Sequence, residues 1–119
     1  LEKGYDHEQG GFFSTGRLGQ PAGRKTKVFW VQGEAMLSAL HMYKLTGDPH
    51  YFEYFSDILR WIDVYQVDWE NGEWFEEIDA QGRAKGVKAG EWKAAYHHGR
   101  AVMECLLILQ GLQKDQQSP

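Results

Sequence analysis

Two stretches of this chain follow one formula. Asp6-x-Glu8-x-Gly10-x-Phe12-Phe13 returns as Asp68-x-Glu70-x-Gly72-x-Trp74-Phe75, and the offset that carries Asp6 onto Asp68 also carries Trp30 onto Trp92. Each unit is a Gly-rich hairpin, then a Trp, then a helix. Helical hairpins that repeat in this way cannot bury their apolar faces alone, so they stack into a larger array. That favours a toroid of paired helices over a self-sufficient small domain.

The segments between the repeats support helices. Over 26–46, Val28, Val31, Ala35, Leu37, Ala39, Leu40 and Tyr43 recur at helical spacing. Thr46-Gly47-Asp48-Pro49 then closes one helix and opens the next. Gly47 suits a left-handed C-terminal cap, Asp48 an N-cap and Pro49 the first helical position. The second helix, about 49–66, carries Phe52, Phe55, Ile58, Leu59 and Ile62 as its core stripe. Residues 4–24 read as a loop with a short hairpin around Gly11–Thr15. Residues 68–90 hold a strand at Glu73–Ile78 and a turn at Asp79–Gly82. A third helix is expected over roughly 97–114, with a frayed tail at 115–119.

Composition narrows the function. With 42% apolar residues and a formal charge of −4, the chain is globular, one domain at most, and carries no basic stripe for nucleic acid. No run of about 18 apolar residues is present to span a membrane. The single cysteine, Cys105, lies on the apolar face of the last helix and reads as a small buried hydrophobe. Five Trp, six Tyr and six Phe are enough to fill a core and also to stack on sugar rings. Asp6, His7 and Glu8 are adjacent, so they cannot all face one ion, and they read as a solvated turn. No phosphate-binding Gly-rich loop or spaced ligand set occurs, and neither a metal nor a cofactor is expected.

The chemistry concentrates in Glu91–Glu104. There, His97, Arg100 and Glu104 fall at i, i+3 and i+7 and share a helix face. An imidazole between a guanidinium and a carboxylate can transfer protons near neutral pH. His98, next in the chain, points elsewhere on a helix, and a one-residue shift would exchange the two. Upstream, Trp30 and Glu34 stand one turn apart, an aromatic platform beside a carboxylate.

Trp92-Lys93-x-x-Tyr96-His97-x-x-Arg100 resembles the C-terminal active-site motif of the N-acylglucosamine 2-epimerase superfamily, nearest its cellobiose 2-epimerase branch. Lys27-x-Phe29-Trp30-Val31-Gln32-Gly33-Glu34 resembles the family's Lys-x-Trp-Trp-x-Gln-Ala-Glu segment, and Gly72-Glu73-Trp74-Phe75 its Gly-Glu-Trp-Phe loop. Phe29, Gly33, His98 and Gly99 depart from those patterns. The resemblance implies an all-α fold: the C-terminal part of an (α/α)6 barrel, its helices joined by Gly-rich loops with short β-hairpins. The chain is then a single partial domain over 1–119, the last third of such a barrel. It starts at Leu1 in a turn-like stretch, and an upstream portion is expected. Helix faces should be left uncovered.

The resemblance further implies proton abstraction and return at C2 of a ring-opened reducing sugar, through an enediol. His97 would be the catalytic acid/base, and Trp30, Glu34, Trp92 and Arg100 would hold the mono- or disaccharide. A cytoplasmic isomerase is implied, with a homodimer among its expected assemblies. The family's second histidine lies in a Gly-His-Asp-x-Glu-like segment absent here, and His7, His41 and His50 do not sit in one. Two other readings remain open. One is a glycoside hydrolase of related fold, with carboxylates drawn from Glu73, Glu76 and Glu77. The other is a carbohydrate-binding or interaction module using the aromatics alone.

Overall fold

The computed structural model describes residues 3–118. Its helices are α1 (Phe29–Thr46), α2 (Pro49–Trp61) and α3 (His98–Gln117), and a π-helical turn, Ile62–Gln66, continues α2. Three two-residue strands, β1 (Lys27–Val28), β2 (Glu77–Ile78) and β3 (Ala84–Lys85), pair antiparallel in the order β1-β2-β3. Lys27 lies opposite Ile78, and Ile78 opposite Ala84.

The α1–α2 corner forms as its residue types require. Gly47 adopts φ +70° and its N–H bonds to Tyr43 O, while the Asp48 side chain accepts from His50 N–H ahead of Pro49. At its other end α1 has no side-chain cap. It emerges directly from β1, and Phe29 N–H donates to Glu76 O at 2.9 Å, so the sheet satisfies a helix-start donor.

Met36, Leu37 and Leu40 of α1 are buried against Phe55 and Ile58 of α2 and Ala101, Cys105 and Ile108 of α3. Burying such an aliphatic side chain contributes roughly 2 kcal/mol, so this shared stripe holds the three helices together. Cys105 is buried as expected, and burial pushes its thiol up to about 11. The other face of α3, with Val102, Met103, Leu106 and Leu107, is exposed. Those are the uncovered apolar positions that a partial toroid should leave.

The sequence repeat is also a structural one. In the first loop Asp6 Oδ1 accepts from the N–H groups of Glu8 and Gln9, Gly10 N–H donates to Asp6 O, and Asp6 N–H donates to Gly11 O. In the second, Asp68 Oδ1 accepts from Glu70 and Asn71, Gly72 N–H donates to Asp68 O, and Asp68 N–H donates to Glu73 O. Asp6 thus shapes a turn, as its adjacency to His7 and Glu8 predicted.

Several boundaries differ from the sequence reading. The helix expected to 66 changes character at Ile62, where Val67 N–H reaches back to Ile62 O over five residues. That wider turn swings Gln66 fully inside, where its amide donates to Phe75 O and Phe75 N–H donates to Gln66 O. The strand expected over Glu73–Ile78 contracts to Glu77–Ile78, because Trp74 bridges Val67 instead. The tail expected from 115 is helical to Gln117.

Candidate functional site

Glu34 sits on α1 next to the point where α3 crosses it. The crossing is close at Gly33: a Cβ there would lie 3.5 Å from Ala101 Cβ and 3.6 Å from His98 Cα, in ordinary contact. The Ala101–Cys105–Ile108 stripe docks α3 on α1, and this brings His97 and Arg100, which lie just ahead of Ala101 in sequence, onto Glu34.

The carboxylate is shared. His97 Nδ1 lies 3.1 Å from Glu34 Oε1, and Arg100 Nη2 donates to the same oxygen at 2.5 Å. Arg100 also donates to Glu104 Oε1 at 3.1 Å, and Glu104 Oε2 lies 3.7 Å from His41 Nε2. The Arg100 bond is the main reason that the Glu34 carboxyl is held below its ordinary pKa. His97 adds to this, and partial burial opposes it. Arg100 is raised in turn, first by Glu34 and then by Glu104.

Two aromatic rings flank the imidazole. Tyr96 stacks at 4.2 Å between centroids and Trp30 at 5.7 Å. The His97 side chain keeps 28% of its surface exposed, so the ring remains reachable from solvent. With Nδ1 engaged by Glu34, Nε2 is the nitrogen left for a ligand.

Of the five site residues expected from sequence, the structure gathers His97, Glu34, Arg100 and Trp30. Trp92 stands apart, 82% exposed on the turn closed by the Gly90–Lys93 bridge, and stacks on none of their rings. His97, Arg100 and Glu104 do share a face. A groove of about 610 Å³ lies elsewhere, between the first loop and α2, lined by Tyr5, His50, Tyr54 and Trp61. His97, Glu34, Arg100 and Trp30 do not line that groove. Among the described residues, no cluster of three or more His, Cys, Asp or Glu could hold a metal, and no helix is long and apolar enough to cross a membrane.

Sequence reasoning missed a second cluster directly behind the first. Glu73, read as part of a packing loop, places Oε1 2.6 Å from His98 Nε2 and 3.4 Å from Lys93 Nζ. Burial works to raise the Glu73 carboxyl, but the Trp74 N–H bond and the charges of His98 and Lys93 outweigh it and the net shift is downward. The available signal was the repeat, which aligns Glu73 with Gly11.

The family model described as N-acylglucosamine 2-epimerase (GlcNAc 2-epimerase) matches residues 1–101. The cellobiose 2-epimerase of Ruminococcus albus is 35% identical over 85 residues, covering 69% of this chain and 22% of that protein. The N-acylglucosamine 2-epimerase of Mus musculus is 31% identical over 117 residues, covering 94% of this chain and 28% of that protein. A crystal structure of D-mannose isomerase superposes with a TM-score of 0.83 at 25% identity, over 88% of this chain and 27% of that one. The chain therefore spans only between 20% and 28% of the length of such curated relatives.

Proposed function

Because the chain belongs to the N-acylglucosamine 2-epimerase family, we propose that it forms the C-terminal wall of the active site of a sugar 2-epimerase or aldose–ketose isomerase. The observation that carries this reading is the shared oxygen of Glu34, which engages His97 Nδ1 and Arg100 Nη2 together. An ionised Glu34 favours the tautomer with the proton on Nδ1, leaving the Nε2 lone pair to act as base.

The substrate is a reducing sugar in its open-chain form, since the C2 hydrogen is acidic only beside a C1 aldehyde. His97 Nε2 takes the proton from C2. The C2–H electron pair becomes the C1=C2 bond of an enediolate, and the carbonyl oxygen takes up the negative charge. Arg100 lies one helical turn from His97, so its remaining N–H donors are available to stabilise that oxygen. Return of a proton to the opposite face of C2 inverts the centre and requires a second acid beyond these residues. Return to C1, with a proton passing from O2 to O1, gives the ketose and needs His97 alone. Trp30 offers an apolar face for the sugar ring. Trp92 would have to swing toward the site to add a second platform.

The test uses the full-length protein in deuterated water with cellobiose, mannose, glucose and N-acetylmannosamine, following the C2 proton by NMR. The expected result is exchange at C2 with one of these sugars that disappears in His97→Ala. Binding without exchange for all four would replace this reading with a carbohydrate-binding role.

A further inference from the structure

Among the described residues, Glu73 is the only one other than glycine with a left-handed backbone, φ +71°. Its counterpart in the first loop is Gly11, φ +78°. Asp6 N–H donates to Gly11 O just as Asp68 N–H donates to Glu73 O. In the first loop glycine is required twice over: the φ favours it, and a Cβ would approach Trp61 to 3.0 Å and Gln32 Oε1 to 3.1 Å. The second loop keeps the strained conformation yet carries a long acidic side chain. Strain of this kind persists where surrounding contacts hold it.

Those contacts converge on one oxygen. Glu73 Oε1 accepts from Trp74 N–H at 2.8 Å and meets His98 Nε2 at 2.6 Å and Lys93 Nζ at 3.4 Å. His98 is buried, with its ring 5.2 Å from Trp74 and 5.5 Å from Phe29. Its Nδ1 is buried without a partner, so Glu73 is the polar anchor of this imidazole.

We propose that Glu73 is a positioning residue that decides which of two adjacent histidines faces the sugar. Held through Nε2, His98 is fixed inward beneath Trp74 and Phe29. The preceding residue, about 100° away around the helix axis, is thereby turned toward Glu34 and Trp30. The left-handed backbone at Glu73 aims its carboxylate at the first turn of α3. The proposal rests on the reading of His97 as the proton-transfer group.

The experiment compares His98→Gln and His98→Leu in the full-length protein, with Glu73→Gly as a third variant. Glutamine can present an amide donor near the place of Nε2, while leucine fills the space between the aromatic rings and donates nothing. Three quantities are read: the thermal midpoint, kcat and KM for C2 exchange, and the imidazole ¹H–¹⁵N spectrum of His97. His98→Gln should keep kcat within about threefold, while His98→Leu and Glu73→Gly lose about tenfold or more with KM little changed, as for misplacement of a reacting group. His98→Leu should match His98→Gln in thermal midpoint, and the His97 resonances should move in the leucine variant alone of that pair. Equal kcat and an unmoved His97 spectrum in the two His98 variants would overturn the proposal. If the unmodified protein exchanges no sugar proton, the epimerase reading falls, and the His97 spectrum alone decides whether Glu73 positions that ring.

Discussion

Lys27 and Lys88 perform the same task in the two loops, although the sequence repeat does not align them. Lys27 Nζ bonds to Asp6 Oδ2 at 2.8 Å and to Gly10 O at 2.6 Å. Lys88 Nζ bonds to Asp68 Oδ2 and to Gly72 O. Each loop is thus closed by an ammonium that reads an aspartate and the carbonyl of the glycine four residues on. The two clasps differ in burial, with the Lys27 side chain 3% exposed and that of Lys88 37%.

That difference gives the first prediction. Lys27→Met leaves Asp6 and the Gly10 carbonyl short of a donor inside the protein and should cost about 3 kcal/mol, the range for removing one partner of a buried pair. Lys88→Met should cost distinctly less, because water replaces its bonds. Urea denaturation of the two variants checks the order. Equal losses would mean that burial does not set the strength of these clasps.

At the site, Glu34→Gln keeps the shape but removes the charge that holds the Nδ1 proton of His97. His97→Ala should lower kcat by about 10² to 10⁴-fold, the usual contribution of a general base. Glu34→Gln should lower it by about tenfold or more, with little change in KM. A Glu34→Gln variant with unaltered kcat would show that Arg100, rather than His97, is what Glu34 serves.

Acid should loosen the second loop. Asp68 is held at about 2 against an ordinary 3.8, chiefly by Lys88, and Asp79 at about 2, chiefly by the Arg83 N–H. Between those values the folded form binds fewer protons than the unfolded chain. Stability from these carboxylates is therefore complete above 3.8 and is lost as pH falls toward 2. Urea midpoints across that window should fall for the unmodified protein and fall less for Asp79→Asn. Identical slopes would sink the assignment.

Gly33 offers a gain. A Cβ there meets Ala101, His98 and Trp74 at 3.5 to 3.9 Å, ordinary contact distances, and the position is helical with no positive φ. Gly33→Ala should stabilise the protein by about 0.5–1 kcal/mol, the helix-propensity difference. Its thermal midpoint should rise with kcat unchanged. A fall would show that α3 has no room to accept a methyl group at the crossing.

The sequence was most informative where the physics is local. Gly47, Asp48 and Pro49 fix a corner through their own backbone preferences, and the corner forms as read. The helical spacing of Ala101, Cys105 and Ile108 likewise marks the buried side of α3. The meeting of Glu34 with His97 is different. The two are far apart in the chain, and only the likeness to a known motif placed them together. Of the three strands only β2 fell within a segment read as strand, and β1 and β3 escaped notice because two-residue elements carry no periodicity. The π-helical turn escaped because Ile62 through Gln66 read as ordinary helix. Trp92 resembled its repeat mate Trp30, but Trp30 stands on a helix and Trp92 on an exposed turn.

Gln32 holds the first loop without consulting any of its side chains. Its amide donates to Phe12 O at 2.7 Å and accepts from Phe12 N–H at 2.8 Å, taking the place of a neighbouring strand. Gln66 grips Phe75 by main-chain groups as well. A latch that reads only the peptide backbone places no demand of its own on the side chain of the residue it holds, although Gly11 beside Phe12 must stay glycine. Away from that glycine and the aspartate–lysine clasps, the loops can therefore vary in sequence, and with them whatever they present to a ligand, while the helices beneath keep one construction.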